Sequence, residues 1–275
     1  MKLRIVPAST GPQWVRQGIT VFWRQPMALA ALFFASMAAM SLAAAIPLVG
    51  PVVALALLPS ATLAMMVAAA QAEQGRTPLP TVLLVAFRTG RQRLDAMLVL
   101  GGLYAAGFLG IMGLSALVDG GQFARVYLGD IPLTPELAQS GAFMVAMWLA
   151  IVLYLPLSML FWHAPGLVHW HGVPPVKALF FSAVACVRNL GAFFLYGLAW
   201  MGVFLIASLL LSLVVTVLAL AGLGASIGVG LMVALAMTLA TMFFTSIVFT
   251  FRDCFEAPEP ATPPAARDSG AAPQP

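Results

Sequence analysis

The pattern of hydrophobic positions is dominated by four long intervals without charge: residues 25–72, 96–118, 137–176 and 189–251. About 20 apolar residues cross the hydrocarbon layer of a bilayer as a helix. The segment PLVGP at 47–51 divides the first interval, and LAGLGASIGVG at 220–230 divides the last, because proline and glycine favour turns. The pattern therefore predicts six spans, at about 27–47, 51–71, 96–118, 142–164, 192–219 and 229–250.

Composition supports a membrane-embedded, all-α fold. Of 275 residues, 62% are hydrophobic and 8% are charged, whereas soluble domains are about a quarter charged. We predict an N-terminal segment at 1–26, a six-span domain at 27–252 and a tail at 253–275. The tail, rich in proline and alanine, cannot bury enough apolar surface to order itself and is predicted to be disordered.

Basic residues indicate the orientation of the chain. Cytoplasmic connections carry an excess of lysine and arginine, and one set of predicted connections holds nearly all of these residues: Lys2, Arg4, Arg16, Arg24, Arg76, Arg88, Arg91, Arg93, Lys177, Arg188, Arg252 and Arg267. The opposite set holds Arg125. We therefore predict a multi-pass protein of a bacterial inner membrane with both termini in the cytoplasm.

Amphipathic segments precede spans one, three and five. In PQWVRQGITVFWRQP, Trp14, Gly18 and Phe22 share one helical face and Arg16 and Arg24 the other. TVLLVAFRTGRQRL repeats the pattern, with Leu83, Ala86, Phe87, Gly90 and Leu94 on one side, and PPVKALFFSAVACVRNL repeats it less clearly. Such helices lie in the headgroup layer with their arginines towards anionic lipid. The predicted interface residues are Trp14, Arg16, Trp23, Arg24, Arg88, Arg91, Arg93, Trp162, Trp170, Lys177 and Arg188.

These segments suggest three parallel repeats, each an interfacial helix followed by a two-span hairpin, at about 12–72, 80–165 and 174–251. The alternative is that any hairpin with a charged flank would look the same. In span three, Gly102, Ala106 and Gly110 recur every four residues and predict a helix contact face.

Two stretches carry a family resemblance, KLRIVPASTGPQWVRQGITVFWRQP near the N-terminus and LFWHAPGLVHWHGVPPVKALFFSAVACVRNLGAF in the centre. Through about residue 252 the chain resembles an uncharacterised family of proteobacterial polytopic inner-membrane proteins. The resemblance implies a six-span inner-membrane protein. That family has no assigned activity, so no functional residue is carried over.

The histidines, His163, His169 and His171, lie together in FWHAPGLVHWHGVPP. On a helix they would not have the i, i+4 spacing that brings two ligands to one metal, and neighbouring prolines favour a bent connection. We interpret them, with Trp162 and Trp170, as anchors at headgroup level. A metal or haem site and a pH-sensing role are the alternatives.

Other chemistry is sparse. Ser208, Ser212 and Thr216 form a stripe that indicates either a pore lining or close helix packing, and packing is favoured. Cys186 and Cys254 have no metal-binding or redox spacing and are interpreted as small packing or surface residues. Asp119 and Asp130 lie in the opposite connection without a positioned catalytic partner.

The leading hypothesis is a non-enzymatic membrane protein without a cofactor, acting at its cytoplasmic face through membrane lipids, anionic ones included, or through a protein partner or a second copy of itself. Nucleic acid is not an expected partner. The second hypothesis is a channel or facilitator for an uncharged solute, lined by the Ser208–Thr216 stripe. The third is a membrane enzyme using Asp119 or Asp130 on the periplasmic side.

Overall fold

The computed structural model describes residues 2–88, 90–222 and 225–256. Apart from a 3₁₀ helix at Pro80–Leu84, the regular elements are α-helices, as predicted. Their bounds are α1 Thr10–Arg24, α2 Pro26–Ala44, α3 Gly50–Glu73, α4 Val85–Arg88, α5 Arg91–Asp119, α6 Gln122–Tyr127, α7 Pro135–Ala138, α8 Gly141–Trp162, α9 Ala164–His171, α10 Pro175–Arg188, α11 Leu190–Leu220 and α12 Ala225–Cys254.

Within this part of the chain, six helices are long and apolar enough to cross a membrane: α2, α3, α5, α8 continued by α9, α11 and α12. Each of the six predicted spans falls on one of these helices. The all-α polytopic fold class is thereby confirmed. α12 continues to Cys254 and Phe255 bridges Leu3, so the described structure extends past the predicted boundary at 252. From 257 onward the predicted tail lies outside the described residues.

α8, α5, α3, α12 and α11 contact one another in this order, and α2 packs on both α3 and α12. No residue in the most hydrophobic part of α11 is buried. In hydrocarbon such a surface costs nothing to expose, because lipid tails are as apolar as leucine.

Helix α1 differs from the prediction in what covers its apolar face. It packs on α12, α11 and α3, and Trp14, Val15, Gly18, Val21 and Phe22 are buried there. A face predicted to rest on lipid therefore rests on protein. The contact is close, because a Cβ at Gly18 would lie 2.4 Å from Cβ of Ser246.

The second amphipathic segment is not one helix. A 3₁₀ helix is followed by the four residues of α4, and Gly90 has a φ of 98° before α5 begins at Arg91. Leu94 thus belongs to a different helix from Leu83 and Ala86, and the predicted shared face does not exist. Since α1 has 15 residues and α10 has 14, the middle unit lacks a matching helix. The three-unit repeat stays a prediction.

The predicted contact face of α5 is displaced by one residue. A Cβ on Gly102 or Gly110 would have no neighbour within 4 Å, whereas one on Gly101 would lie 2.3 Å from the carbonyl oxygen of Ala56. The close approach between α3 and α5 therefore depends on Gly101, one position before the periodic set.

We expect Gly18→Ala to destabilise the protein by about 1–3 kcal/mol, because the added methyl group overpacks the contact with Ser246. The measurement is the thermal unfolding midpoint of the full chain in detergent. Gly102→Ala is the matched control, since its methyl group enters open space, and its midpoint should be unchanged or slightly higher. Equal midpoints for the two variants would contradict the close packing of α1.

Candidate functional site

The end of the bundle where α2, α5 and α11 begin and where α3 and α12 end collects most of the basic residues; we call it the arginine-rich end. Here the N-terminal segment is tied to the end of α12. Leu3 and Phe255 form an antiparallel bridge, and the backbone N–H of Arg4 donates to the carbonyl of Cys254 at 2.9 Å.

Asn189 is the polar centre of this tie and is 2% exposed. Its Oδ1 accepts from the backbone N–H of Val6 at 2.8 Å, and its Nδ2 donates to the carbonyls of Arg4 and Ala185 at 3.1 and 3.0 Å. One buried amide thus satisfies backbone groups of the N-terminal segment and of α10. Leaving such groups unpaired would cost about 1–3 kcal/mol each.

Helix α1 is fixed at the same end by Trp14, which is fully buried. Its indole Nε1 donates to Oδ2 of Asp253 at 2.7 Å. Because the apolar face of α1 is buried against other helices, its polar face points outward. The exposed residues of that face are Gln13, Arg16, Gln17, Thr20 and Arg24.

An ion pair between Arg252 and Glu73 separates two cavities at this end. Arg252 also lies over the ring of Phe249, 5.3 Å from its centroid, and Arg24 donates from Nη1 to the carbonyl of Glu73 at 2.8 Å. The pair is 48% and 30% exposed on its two side chains, so its contribution to stability is small. Its geometric effect is to fix the guanidinium of Arg252.

The first cavity, which we call the α1 cavity, has a volume of about 460 Å³ and is bordered by the polar face of α1 and by Glu73 and Phe249. Arg16 and Arg24 supply two positive charges and Glu73 one negative charge. The second, the terminal cavity, has a volume of about 400 Å³ and lies between the N-terminal segment, α3, α9 and α12. Arg4 and Arg252 supply its charge.

The predicted interface residues divide into two groups. The charged ones are exposed as expected of a solvated rim: Arg16, Arg24, Arg88, Arg91, Arg93, Lys177 and Arg188. Trp23 is 64% exposed. Trp14 and Trp162 instead form hydrogen bonds within the protein. Nε1 of Trp14 donates to Asp253, and Nε1 of Trp162 donates to Oγ1 of Thr250 at 3.0 Å. Trp170 is half-buried, with its ring 5.1 Å from that of Phe251.

The histidine segment is helical rather than the predicted bent connection, and the bend falls at His163. α8 ends at Trp162 and α9 begins at Ala164, because Pro165 has no N–H to continue the helix. The backbone N–H of His163 donates instead to Oγ of Ser182 on α10 at 2.9 Å, and that hydroxyl donates to the carbonyl of Met159 at 2.7 Å.

His163 is 0% exposed, so its ring packs against protein and is not the exposed anchor that was predicted. Its Nε2 lies 3.2 Å from Oγ1 of Thr250, whose hydroxyl donates to the carbonyl of Ile247 at 2.7 Å. Because that hydroxyl hydrogen is already used, Nε2 of the imidazole is the donor. Its Nδ1 then faces Sγ of Cys186 at 3.9 Å. The ring is a packed polar link between α8, α10 and α12.

His169 and His171, on α9, are partly exposed. Among residues 2–88, 90–222 and 225–256, no group of three or more histidine, cysteine, aspartate or glutamate side chains could hold a metal ion. His171 lines the terminal cavity, where its ring lies 5.8 Å from that of Phe251.

Ser208 and Ser212 of the hydroxyl stripe border an apolar cleft of about 830 Å³ between α11 and α12, whereas Thr216 is not among its described lining residues. Oγ of Ser208 donates to the carbonyl of Phe204 at 2.7 Å, and Oγ1 of Thr216 donates to that of Ser212 at 2.8 Å. The hydroxyls of Ser208 and Thr216 are therefore satisfied by their own helix. The described lining of the cleft comes from one hairpin and its turn.

At the opposite end, Asp119 is engaged in the turn after α5. Its Oδ1 accepts from the backbone N–H of Gly121 at 2.9 Å, and its Oδ2 accepts from that of Phe123 at 2.6 Å. The side chain is 7% exposed. Asp130 is exposed in the following loop.

In the described part of the chain, six apolar helices, many exposed large hydrophobic side chains and a basic rim at one end define a multi-pass α-helical membrane protein. The chain is 40% identical over 267 residues to a protein of Burkholderia thailandensis named "Probable inner membrane protein", and the match covers 96% of this chain and 97% of that protein. The chain belongs to the same family of inner-membrane proteins, as the resemblance implied. No family model and no solved structure matches it.

Both cysteines are buried and free, and burial raises the pKa of the Cys186 thiol above its usual range. We expect a maleimide to label neither cysteine in the folded protein and both after denaturation, as measured by intact mass. Labelling of Cys186 in the folded protein would contradict its burial.

The same shift predicts a pH dependence of stability. Above a pH of about 8.5 the thiol of Cys186 ionises in the unfolded chain but not in the folded one. Unfolding is therefore favoured as the pH rises through this range. The decrease in unfolding midpoint between pH values of about 7 and 9.5 should be smaller in Cys186→Ala than in the unmodified protein.

Proposed function

We propose that the protein acts without catalysis at the cytoplasmic surface of the inner membrane, by binding the headgroups of anionic phospholipids at its arginine-rich end. The observation that carries the proposal is the fixed, outward polar face of α1. Because Trp14 and Gly18 seat the opposite face on α11 and α12, Arg16 and Arg24 are held at a defined position at the end of the spans.

Charge at this end supports the proposal. The α1 cavity has two arginines against one glutamate, and the terminal cavity has two arginines with no acidic side chain among its described lining residues. A basic residue close to an anionic leaflet contributes about 1 kcal/mol to binding. Exposed Trp23, at the end of α1, adds an amphipathic ring of the type enriched at membrane interfaces.

The proposal includes an orientation with both termini in the cytoplasm, because the basic residues accumulate at the end where the termini lie. The cleft beside Ser208 and Ser212 does not favour a channel, since it is apolar and its described lining belongs to one hairpin. The enzyme hypothesis is not favoured either, because the carboxylate of Asp119 already accepts hydrogen bonds from two backbone N–H groups.

For the orientation, we expect a cysteine introduced at Asp130 to react with a membrane-impermeant maleimide added to intact cells. A cysteine introduced at Arg88 should react only after the inner membrane is permeabilised. Both positions are exposed, so burial does not confuse the result. The reverse pattern would place the arginine-rich end outside the cytoplasm.

For lipid binding, we expect the detergent-purified protein to prefer phosphatidylglycerol over phosphatidylcholine in a native mass spectrometry titration. Arg16→Gln should reduce this preference by about fivefold, the effect of roughly 1 kcal/mol, and added salt should also weaken it. Arg125→Gln is the matched control, because it removes one exposed arginine from the opposite end.

Equal binding of the two lipids by the unmodified protein would contradict the proposed function. So would an equal loss of preference in Arg16→Gln and Arg125→Gln, because the arginine-rich end would then have no special role.

A further inference from the structure

We propose that the terminal cavity is a specific site for one phosphate group, provided either by a phospholipid headgroup or by a soluble phosphate compound. The inference deepens the proposed function, and in its lipid form rests on it. It concerns one concave site, which Arg252 borders. The proposed function requires only that the arginine-rich end prefers anionic lipids to neutral ones.

The polar residues that line this cavity carry donors suited to an oxyanion. Arg4 and Arg252 have guanidinium groups, Gln74 has a side-chain amide and His171 has an imidazole. Arginine binds phosphate through paired, charge-assisted hydrogen bonds. The volume of about 400 Å³ lies within the range of about 300–1,000 Å³ that is typical of ligand pockets.

The backbone of Arg4 and the side chain of Arg252 are held in place from outside the cavity. The backbone of Arg4 donates to Cys254 and accepts from Asn189, so its position is fixed on both sides. Its guanidinium has no hydrogen bond or ion pair with any described residue. Arg252 is fixed by Glu73 and by the ring of Phe249. A site held in advance loses less entropy on binding.

Neighbouring acids leave the site positively charged. Glu73 is paired with Arg252 from the side of the α1 cavity, and Asp253 accepts from the buried indole of Trp14. Glu256 follows Phe255, and its backbone N–H donates to the carbonyl of Lys2 at 3.2 Å. One of the two guanidinium charges in the cavity, that of Arg4, thus has no counter-charge among its described lining residues.

The remaining wall is apolar and aromatic. The ring of Phe251 lies 5.1 Å from that of Trp170 and 5.3 Å from that of Phe255, and Ala70 and Val248 complete the surface. A phosphate bound by Arg4 and Arg252 would have this wall beside it. The arrangement suits a phosphate that is attached to an apolar stem, as in the glycerol and acyl portions of a lipid.

Arg4→Gln tests the site. It removes the guanidinium but keeps the backbone hydrogen bonds on which folding of this segment depends, and unchanged unfolding midpoints without ligand check this. Arg4→Lys retains the charge without the paired geometry. Arg125→Gln is the matched control, because it removes one exposed arginine from the opposite end of the protein.

In the lipid arm, the full-length protein is titrated with phosphatidic acid and observed by native mass spectrometry. We expect one tightly bound copy, weakened about tenfold or more by Arg4→Gln, as for loss of a charge-assisted hydrogen bond. The loss in Arg4→Lys should be smaller, and Arg125→Gln should leave this copy bound. In the soluble arm, inorganic phosphate at constant ionic strength should raise the unfolding midpoint only if Arg4 is present.

An effect of Arg4→Gln in the lipid arm alone identifies a lipid headgroup, and an effect in the soluble arm alone identifies a soluble phosphate compound. Equal binding by Arg4→Gln and the unmodified protein in both arms would overturn the site, while a preference for phosphatidylglycerol would leave the proposed function standing. If phosphate binding depends on Arg4 but the protein shows no preference for anionic lipid, the site is supported and the proposed function is overturned.

Discussion

Polar groups inside the six spans have no water to bind, and this constraint organises the interior of the protein. Lipid can solvate every exposed leucine of α11, but it cannot satisfy a hydroxyl, an imidazole or an indole. Hydroxyls in the spans accordingly bond to carbonyls of their own helix, as Thr245 does to Thr241. Where a helix ends inside the bundle, as at His163, a side chain from a neighbouring helix supplies the missing partner.

Buried hydrogen bonds also hold the arginine-rich end together. Backbone groups of the N-terminal segment would be unpaired at the edge of the bundle without Asn189 and the bridge to Phe255. These contacts place Arg4 beside α12, and the seat of Trp14 places Arg16 and Arg24 beside α3. The exposed charges are therefore positioned by buried polar contacts a few residues away.

Sequence periodicity predicted the spans because a membrane-crossing helix depends mainly on the length of an apolar run. It did not identify what covers each face. An amphipathic helix on lipid and one on protein have the same pattern, so α1 could not be distinguished from an interfacial helix. The one-residue difference between Gly101 and Gly102 depends on the rotation of α5 about its axis, which composition does not reveal in an apolar helix.

The candidate site was predictable only in part. The charge distribution indicated which end carries the arginines, but not that Arg4 and Arg252 border one cavity, because they come from opposite ends of the chain. His163 could not be assigned to the interior, since its partners Ser182 and Thr250 lie 19 and 87 residues away. Asn189 gave no signal in the sequence, since a single asparagine beside an arginine is typical of a solvated loop.

The packing of α1 on α12 also sets an order of events during synthesis. Trp14 and its partner Asp253 are 239 residues apart, and at about 5–20 residues per second the ribosome needs roughly 12–48 s to make the intervening chain. Throughout that time the apolar face of α1 exists without α12. An amphipathic helix can bind in the headgroup layer. We therefore expect α1 to lie on the lipid surface until α12 is inserted and Asp253 can reach Trp14.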